Sequence, residues 1–312
     1  MSDEPWPRIA VVGAGAVGGY FGGLLAHAGA PVVLIGRAPF VNAVSARGLE
    51  IVARDRRTRV RVRATTELAA CRDAELILLC VKTVDTESTA TALAPLLAPS
   101  ARVVTLQNGV EGADRVRALT ARETLPAAVY VAVSMPTPGQ VVHVGRGDLI
   151  VGPDGPLART LAHACARAGI GCRITGQIEG ELWVKLLWNC ALNAASALAD
   201  ASYGRIIERP DGRALIGELV SEFMAVAAAA GIALPGIGDA HAALAGALAL
   251  AAQMPEQRSS TAQDLERARP TEIDALNGYI VRRAGALGVA VPVNRALCTL
   301  VKLREAHAQS SR

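Results

Sequence analysis

Aromatic side chains are scarce in this sequence. Phe, Tyr and Trp make up 3% of its 312 residues, although hydrophobic residues make up 51%. A hydrophobic core must therefore be assembled mainly from Ala, Leu and Val. A chain of this length is long enough to bury a large core, and we expect it to form two domains.

Long hydrophobic runs are absent as well. A membrane-spanning helix needs about 20 consecutive apolar residues, whereas Phe223–Ala230 is much shorter and Ala240–Ala252 is interrupted by His241 and Gly246. The N-terminus is polar and interrupted by prolines, unlike a signal peptide. We therefore expect a cytoplasmic protein with no membrane partner.

Metal-binding and redox patterns are also missing. The six cysteines form no CxxC pair and most lie in apolar segments, which predicts reduced core residues. No cluster of His, Cys and Asp has the spacing of metal ligands, so no metal is expected. The net charge is +4, and we interpret its basic residues as spread along the chain without a basic run. A nucleic-acid site would need clustered basic residues, so no nucleic-acid partner is expected. Such a charge is compatible with an enzyme that handles small anionic molecules.

Near its start the sequence contains a G-x-G-x-x-G motif between a predicted strand, Arg8–Val12, and a predicted helix, Tyr20–Ala28. A second strand at Pro31–Ile35 completes a βαβ unit. In this setting the motif predicts a dinucleotide site, because its glycines allow a tight turn, close approach of a pyrophosphate and close packing of the helix. The helix N-terminus would add free N–H groups. The predicted cofactor-binding residues of the motif are Gly13, Ala14, Gly15, Ala16, Val17 and Gly18.

The segment from Gly13 to Arg47 contains no Asp or Glu. An NAD site usually has an acid after the second strand to bind the ribose 2′-hydroxyl, whereas a nearby Arg accommodates the 2′-phosphate of NADP. Arg37 follows that strand, so NADP is the predicted cofactor. The alternative is that Arg37 is a solvated loop arginine and that the acid is missing for other reasons.

Further strands are expected in the first half of the chain. Glu75–Val81 is continuously apolar, which predicts a central parallel strand, and Lys82 stands at its C-terminal end, where ligands bind in open α/β sheets. The strand Arg102–Leu106 is followed by Asn108, a turn residue by default. The alternating pattern of Glu50–Arg63 predicts a hairpin with a solvated, charged turn at Asp55-Arg56-Arg57. The other predicted elements of this half are helices at Thr86–Leu97 and Leu157–Ala168, strands at Ala127–Val133, Gln140–Val144, Asp148–Val151 and Gly171–Ile174, and turns at Pro136–Gly139 and Gly145–Gly147.

Only helices are predicted after about Gln177. An α/β half followed by an all-α half predicts a Rossmann-type, NADP-binding domain at residues 1–176 and an all-helical substrate and catalytic domain at residues 177–312. The predicted helices are Glu179–Ala199, Arg213–Ala230, Ile237–Ala252, Ser260–Glu266, Glu272–Leu287 and Asn294–His307.

The first of these helices carries Lys185, Asn189 and Asn193 at intervals of four residues. Successive fours advance about 40° around a helix, so the three side chains form one polar stripe between apolar flanks. Burying such groups is costly unless something polar faces them. The stripe alone leaves two interpretations open: structural hydrogen bonds to loops or a neighbouring helix, or a functional site.

Several motifs together resemble the ketopantoate reductase (2-dehydropantoate 2-reductase) family, in order and over essentially the whole chain. The most specific are the Lys-x3-Asn-x3-Asn helix and the Thr-Glu-Ile-Asp segment that ends at Asp274. The others are Gly13–Gly18, Val81-Lys82, Gln107-Asn108-Gly109, Ser259-Ser260 with Gln263-Asp264, Asn277-Gly278 and the segment Arg282–Lys302.

The resemblance implies a catalytic pair. Lys185 would be the general acid, and Glu272 would bind the substrate and help to orient Lys185. The chemistry fits, because negative charge develops on the carbonyl oxygen of a 2-oxo acid during reduction, and a nearby ammonium can stabilise and protonate it. Without the resemblance, the position of Glu272 after Pro270 and Thr271 favours a helix start, where an acid interacts with the dipole.

The resemblance also implies binding residues. Asn189, Asn193 and Ser260 would hold the hydroxyl and carboxylate of the substrate, and Asn108 would touch both the substrate and the nicotinamide ribose. Arg37, Lys82 and the backbone near Met135 would belong to the cofactor site.

Two positions depart from some members of the family. Asp85 stands where several carry Gln, and Tyr203 stands where some carry Asn as a further substrate ligand. Neither position takes part in hydride transfer, but an acid or a bulky phenol would reshape the substrate site.

The leading hypothesis is therefore an NADPH-dependent reductase of a small branched 2-oxo acid, 2-dehydropantoate being favoured. The alternatives are an NAD(P)-dependent 2-hydroxy-acid dehydrogenase of the same family with another substrate, and a non-catalytic dinucleotide sensor. The Ala-rich helices around Phe223–Ala252 leave room for a homodimer interface.

Overall fold

A computed structural model of the protein describes residues 5–54 and 56–310, with side chains up to residue 308. The chain forms two compact units. The first contains the chain up to Gln107 together with Glu111–Ile178. The second contains the short segment Asn108–Val110 and the chain from Glu179 onward.

The first unit is built on one mixed sheet with strand order β4-β3-β9-β8-β7-β6-β1-β2-β5, and β10 pairs with β9. Pairing is parallel from β8 through to β5, whereas β8–β9 and β3–β4 are antiparallel. The strands are β1 (Ile9–Val12), β2 (Val32–Ile35), β3 (Leu49–Ala53), β4 (Arg56–Val60), β5 (Arg63–Thr65), β6 (Leu76–Leu79), β7 (Arg102–Thr105), β8 (Thr124–Thr137), β9 (Gln140–Val151) and β10 (Gly171–Ile174). The helices are α1 (Ala16–His27), α2 (Ala38–Arg47), α3 (Thr86–Leu93), α4 (Gly112–Thr120) and α5 (Pro156–Arg167).

The central strands are apolar on both faces because helices cover both. Along β6, Leu76 and Leu78 pack into a core that includes α1, whereas Ile77 and Leu79 pack into a second core with α3 and α4. Alternate side chains of a strand point to opposite faces, so a strand buried on both sides must be continuously apolar. The predicted Rossmann-type fold and the central position of this strand are confirmed.

The long hairpin of β8 and β9 differs from the prediction. The expected turn at Gly145–Gly147 is wrong, since β9 continues through it. Tyr130 pairs with Asp148, whereas Val131 pairs with Arg146, so Gly147 is an extra residue in a β-bulge. Its φ of +141° is easily adopted only by glycine. The glycine therefore bends a strand and does not end it.

Two helices of this unit were not predicted. α2 begins with Ala38-Pro39, and Pro is favoured at the start of a helix. α4 buries one face through Ala113, Val116 and Thr120. Both helices are short, and few apolar residues mark their periodicity.

The predicted hairpin at Glu50–Arg63 is confirmed as β3 and β4, although Asp55 of its turn lies outside the described residues. Its arginines are exposed, as the prediction of a solvated face requires. Their clustering corrects the interpretation that the positive charge is spread evenly. β4 is an edge strand, where charged side chains discourage pairing with another chain. The clustered arginines are Arg54, Arg56, Arg57, Arg59, Arg61 and Arg63.

Helices are the only regular secondary structure among the described residues of the second unit. Its core packs Trp183 edge-on against Phe223 and Tyr279, with ring centroids 5.6 and 5.7 Å apart. Small residues such as Ala243 and Ala247 are fully buried, in agreement with the predicted Ala-rich core. The helices are α6 (Ile178–Ala199), α7 (Tyr203–Glu208), α8 (Pro210–Ala229), α9 (Ala240–Gln253), α10 (Ser260–Glu266), α11 (Asn277–Leu287) and α12 (Pro292–Ser310).

One boundary and one helix in this unit differ from the prediction. The expected helix Glu272–Leu287 begins as a separate 3-10 turn, Ile273–Ala275, before α11. α7 was not predicted, because it is only six residues long.

The described residues contain no helix long and apolar enough to cross a membrane. They also contain no group of three or more His, Cys, Asp or Glu side chains that could hold a metal ion. All six cysteines are free of disulfide bonds, and four of them are buried, which confirms the interpretation as core residues for those four.

Candidate active site

The glycine turn after β1 in the first unit is closely packed at its first and third glycines. Gly13 has a φ of +94°, and a Cβ on it would lie 2.5 Å from the backbone nitrogen of Val81. A Cβ on Gly18 would lie 2.5 Å from the carbonyl oxygen of Gly13. Both positions therefore require glycine for the fold itself, one for the turn and one for packing α1 against it.

The second glycine is different. A Cβ on Gly15 would meet no atom within 4 Å, and its φ of −82° is open to any residue. Gly15 is the N-cap of α1, with no side-chain cap and no acidic residue in the first turn, which begins with Ala16 and Val17. The open space lies where free N–H groups and the positive end of the helix dipole attract an anion. The turn thus fits the pyrophosphate of a dinucleotide.

Arg37 and Lys82 lie at the same edge of the sheet as this turn. β1 pairs in parallel with β2 on one side and β6 on the other, so the three carboxyl ends lie side by side. Arg37 follows β2 at the N-cap of α2 and is exposed. Lys82 follows β6 and is half-buried. The structure therefore places both predicted cationic residues beside the glycine turn.

Met135 and Ala14 are packing residues of the same region. The Met135 methyl group would lie 3.4 Å from a Cβ on Gly19 of α1, so this side chain packs against the helix that follows the turn. Ala14 is buried, and its methyl group would lie 3.1 Å from a Cβ on Gly36.

A hydrogen-bonded group in the second unit joins Lys185, Asn108 and Glu272. The Lys185 ammonium donates to Oδ1 of Asn108 at 3.0 Å, and Nδ2 of Asn108 donates to Oε2 of Glu272 at 2.7 Å. All three side chains are half-buried. The amide can serve both neighbours only in this orientation, since its oxygen accepts and its nitrogen donates. A cation and a carboxylate are thus held at opposite ends of one amide.

The backbone explains how residues so far apart in sequence meet. Lys185 lies on α6, and Asn108 follows β7. Gly109 has a φ of +83°, and a Cβ on it would lie 3.1 Å from the carbonyl oxygen of Ala275. The Asn108-Gly109 turn therefore packs on the 3-10 turn that begins just after Glu272. Glu272 is the N-cap residue of that turn, in agreement with the helix-start interpretation, but its side chain makes no capping hydrogen bond there.

The rest of the polar stripe on α6 lies next to Ser260. Asn193 is buried, and its Nδ2 lies 3.5 Å from Oγ of Ser260, which is exposed at the start of α10. Oδ1 of Asn193 accepts a hydrogen bond from the hydroxyl of Tyr203 at 3.1 Å. Asn189 is half-buried, and its side chain has no hydrogen-bond partner among the described residues.

Two other buried side-chain amides of this unit, unlike that of Asn189, hold helices together. Nδ2 of Asn277 donates to the carbonyl oxygen of Cys190 and to Oδ1 of Asn294, at 3.1 and 3.0 Å. These bonds fasten α11 to its neighbours, so the Asn277 amide has a structural role. Asn189 has no such partner in the part of the chain that the structure describes, so its amide is available to a ligand. The stripe combines one fastened amide, Asn193, with one available amide.

Comparison with known proteins agrees with the architecture of the chain. The family model described as Ketopantoate reductase PanE/ApbA matches residues 9–155, and the model of its C-terminal part matches residues 177–305. A 2-dehydropantoate 2-reductase from Halobacterium salinarum is 33% identical over 305 residues, which cover 96% of this chain and 99% of the relative. The chain belongs to the ketopantoate reductase family. It is accordingly an oxidoreductase of the type that acts on a CH–OH or ketone group.

Solved structures of similar proteins extend the comparison. A PanE/ApbA family ketopantoate reductase from Ralstonia eutropha has a TM-score of 0.91 at 45% identity and covers 96% of this chain and 99% of its own. A D-mandelate dehydrogenase solved with NADH and anilino(oxo)acetate has a TM-score of 0.89 at 25% identity and covers 96% and 99%. Structural neighbours with NADH support a nicotinamide dinucleotide cofactor.

In this member of the ketopantoate reductase family, the structure shows hydrogen-bond partners of Asn193 that the sequence did not reveal. Tyr203 was noted as a departure but not as a partner of Asn193. Ser259 was noted only as a neighbour of Ser260, yet its hydroxyl donates to the carbonyl oxygen of Asn193 at 3.0 Å and accepts from the backbone of Ala262. A Ser-Ser pair before a predicted helix is a capping signal that could have identified it. Asp85, the other departure, is exposed.

Proposed function

We propose that this protein reduces a small branched 2-oxo acid with NADPH, converting 2-dehydropantoate to (R)-pantoate in pantothenate biosynthesis. The observation that carries the proposal is the ammonium of Lys185 held by Asn108, which is in turn held by Glu272. Two relatives of this chain, from Halobacterium salinarum and Archaeoglobus fulgidus, are 2-dehydropantoate 2-reductases, which supports the choice of substrate.

The nicotinamide would supply a hydride to the carbonyl carbon. As the carbonyl oxygen gains negative charge, the Lys185 ammonium stabilises it and donates a proton to it. Asn108 holds Nζ of Lys185 in place, and the Glu272 carboxylate holds the Asn108 amide in the orientation that accepts from lysine. A charge-assisted hydrogen bond is stronger than a neutral one, so the amide holds the ammonium firmly.

The amides of the stripe and Ser260 would bind the rest of the substrate. Asn189 has its amide available, and Asn193 presents its Nδ2 beside the exposed hydroxyl of Ser260. These donors suit the carboxylate and the hydroxyl of a hydroxylated 2-oxo acid.

For the cofactor, Arg37 and Lys82 support NADPH over NADH. Both stand beside the glycine turn, and the first turn of α2 contains no acid that would bind a ribose 2′-hydroxyl. Residues Gly13–Gly18 would cradle the pyrophosphate, Asn108 would reach the nicotinamide ribose, and the backbone at Met135 would border the cofactor.

Steady-state kinetics test the proposal. The purified protein should oxidise NADPH in the presence of 2-dehydropantoate, with a higher kcat/KM than with NADH or with any other 2-oxo acid in a panel. Failure to turn over 2-dehydropantoate while another 2-oxo acid is reduced would favour a second candidate, a 2-hydroxy-acid dehydrogenase of the same family. The likeness to D-mandelate dehydrogenase supports that candidate. Binding of NADPH without oxidation by any 2-oxo acid would instead indicate a dinucleotide sensor.

We further infer an NADP-binding domain at residues 1–176, a substrate domain at residues 177–312, a cytoplasmic location and a homodimer. The free cysteines are compatible with a reducing compartment. Light scattering at several protein concentrations tests the homodimer, and a mass of one chain throughout would contradict it.

A further inference from the structure

The position of Tyr203 in the second unit has a consequence for substrate selection. Its side chain is 7% exposed, and its hydroxyl donates to Oδ1 of Asn193. Burial raises the pKa of the phenol well above its usual range, so the hydroxyl stays protonated and remains a donor.

The phenol is held firmly by the backbone around it. The backbone nitrogen of Tyr203 donates to the carbonyl oxygen of Gln257, and that of Gly204 donates to the carbonyl oxygen of Pro255, both at 2.9 Å. A Cβ on Gly204 would lie 2.9 Å from Pro255, so no larger residue fits there without a shift. The start of α7 is thereby fastened to the loop that leads into α10.

The same loop is fastened to α6 beside Asn193. The Ser259 hydroxyl donates to the carbonyl oxygen of Asn193, and the backbone nitrogen of Ser259 donates to Oγ of Ser196 at 3.2 Å. Tyr203, Asn193 and Ser260 therefore lie on three elements that are tied together by hydrogen bonds. Their relative positions do not depend on a mobile loop.

An amide held in this way offers only one kind of hydrogen bond. Because Oδ1 accepts from Tyr203, the Asn193 amide is oriented so that its Nδ2 donor is the group that faces Ser260. A substrate group at this point must therefore accept a hydrogen bond. An analogue without such an oxygen loses this hydrogen bond, which costs binding free energy.

We propose that Tyr203 is a positioning residue which fixes Asn193 as a donor and so makes the site select 2-oxo acids that carry a hydroxyl on the side chain. This inference rests on the proposed function. It assigns the discrimination between hydroxylated and non-hydroxylated 2-oxo acids to a phenol that is not itself required to touch the substrate.

The test compares Tyr203→Phe with the wild type on two substrates that differ only in the hydroxyl: 2-dehydropantoate and 3,3-dimethyl-2-oxobutanoate. The variant loses the hydroxyl donor but keeps the ring, so the side-chain amide of Asn193 is free to rotate by 180° and exchange its oxygen and nitrogen. We expect the KM for 2-dehydropantoate to rise about tenfold, the scale of one neutral hydrogen bond, with little change in kcat. The KM for 3,3-dimethyl-2-oxobutanoate and the affinity for NADPH should hardly change.

Two controls separate positioning from a general structural effect. Tyr279→Phe removes a hydroxyl from another tyrosine of the same unit, and it should leave the selectivity unchanged. In an Asn193→Ala background Tyr203→Phe should have no further effect, because the two residues act as one unit. The melting temperatures of all variants show whether each folds.

The outcomes distinguish the inference from the proposed function. Wild-type protein that reduces neither acid overturns both. Wild-type turnover of 2-dehydropantoate with unchanged selectivity in Tyr203→Phe, or an equal loss on both substrates, overturns only the role of Tyr203. Additive effects of Tyr203→Phe and Asn193→Ala do the same.

Discussion

The two candidate sites differ in the chemical groups that they offer to a ligand: one is the glycine turn of the first unit, and the other is the group Lys185, Asn108 and Glu272 of the second unit. The turn offers backbone N–H groups and an empty space at Gly15, and two of its glycines are needed merely to form it. The lysine group offers side chains that three distant parts of the chain bring together. A change of side chain should therefore act on binding or folding in the turn, and on catalysis in the lysine group.

The largest effect is expected at Lys185. Lys185→Ala removes the proton donor and the cation that stabilises the developing charge, so kcat should fall about a thousandfold, within the range for general acids. The affinity for NADPH, measured by fluorescence titration, should change little. Lys302→Ala is the matched control, because Lys302 forms an exposed ion pair with Asp274, and pairs of this kind contribute little. Undiminished turnover in Lys185→Ala would remove the assigned acid.

The two sites also differ in how far the sequence predicts them. The turn is local, so six adjacent residues between a strand and a helix are enough to predict it. The stripe on α6 is also local and follows from a spacing of four. Asn108 and Glu272 are 164 residues apart in sequence, and no spacing rule connects them. Their roles were reached only through the family resemblance.

The missed features are those decided by tertiary contacts. The hydrogen bond from Tyr203 to Asn193 depends on a reversal of the chain at Asp200, which has a φ of +52°. The bulge at Gly147 depends on the register of two long strands. A Gly-Arg-Gly sequence is compatible with a turn and with a β-bulge, and only the pairing with the neighbouring strand decides which of the two forms.

The second largest effect is expected at Asn108, which joins the cation to the carboxylate. Asn108→Ala removes the oxygen that accepts from Lys185 and the amide that donates to Glu272. Loss of hydrogen bonds to charged groups corresponds to about a tenfold to a hundredfold decrease in kcat. Asn42→Ala, at an exposed asparagine of α2, is the control. A kcat within twofold of wild type would show that Lys185 is oriented by other contacts.

Arg37 should produce a smaller effect that concerns only the choice of cofactor. Arg37→Asp replaces a 2′-phosphate partner by an acid that repels phosphate and can bind the ribose 2′-hydroxyl. The ratio of kcat/KM for NADPH to that for NADH should fall about twentyfold, the scale of a charge-assisted hydrogen bond. Arg63→Asp is the control, since Arg63 is exposed and pairs with Val33 near the opposite end of β2. An equal loss with both cofactors would contradict the assignment.

The smallest effects separate the functions of two glycines within the turn itself. In Gly15→Ala the new methyl group meets no protein atom within 4 Å, so the melting temperature without cofactor should stay close to that of the wild type. The affinity for NADPH should fall about tenfold, because the methyl group occupies the space that the pyrophosphate would fill. In Gly18→Ala the methyl would lie 2.5 Å from the carbonyl oxygen of Gly13, so the melting temperature itself should fall by about 5 °C. Differential scanning fluorimetry with and without NADPH measures both quantities. Normal NADPH affinity in a stable Gly15→Ala variant would mean that the open space does not receive the pyrophosphate. The glycine turn would then not be the part of the molecule that binds the cofactor through its backbone.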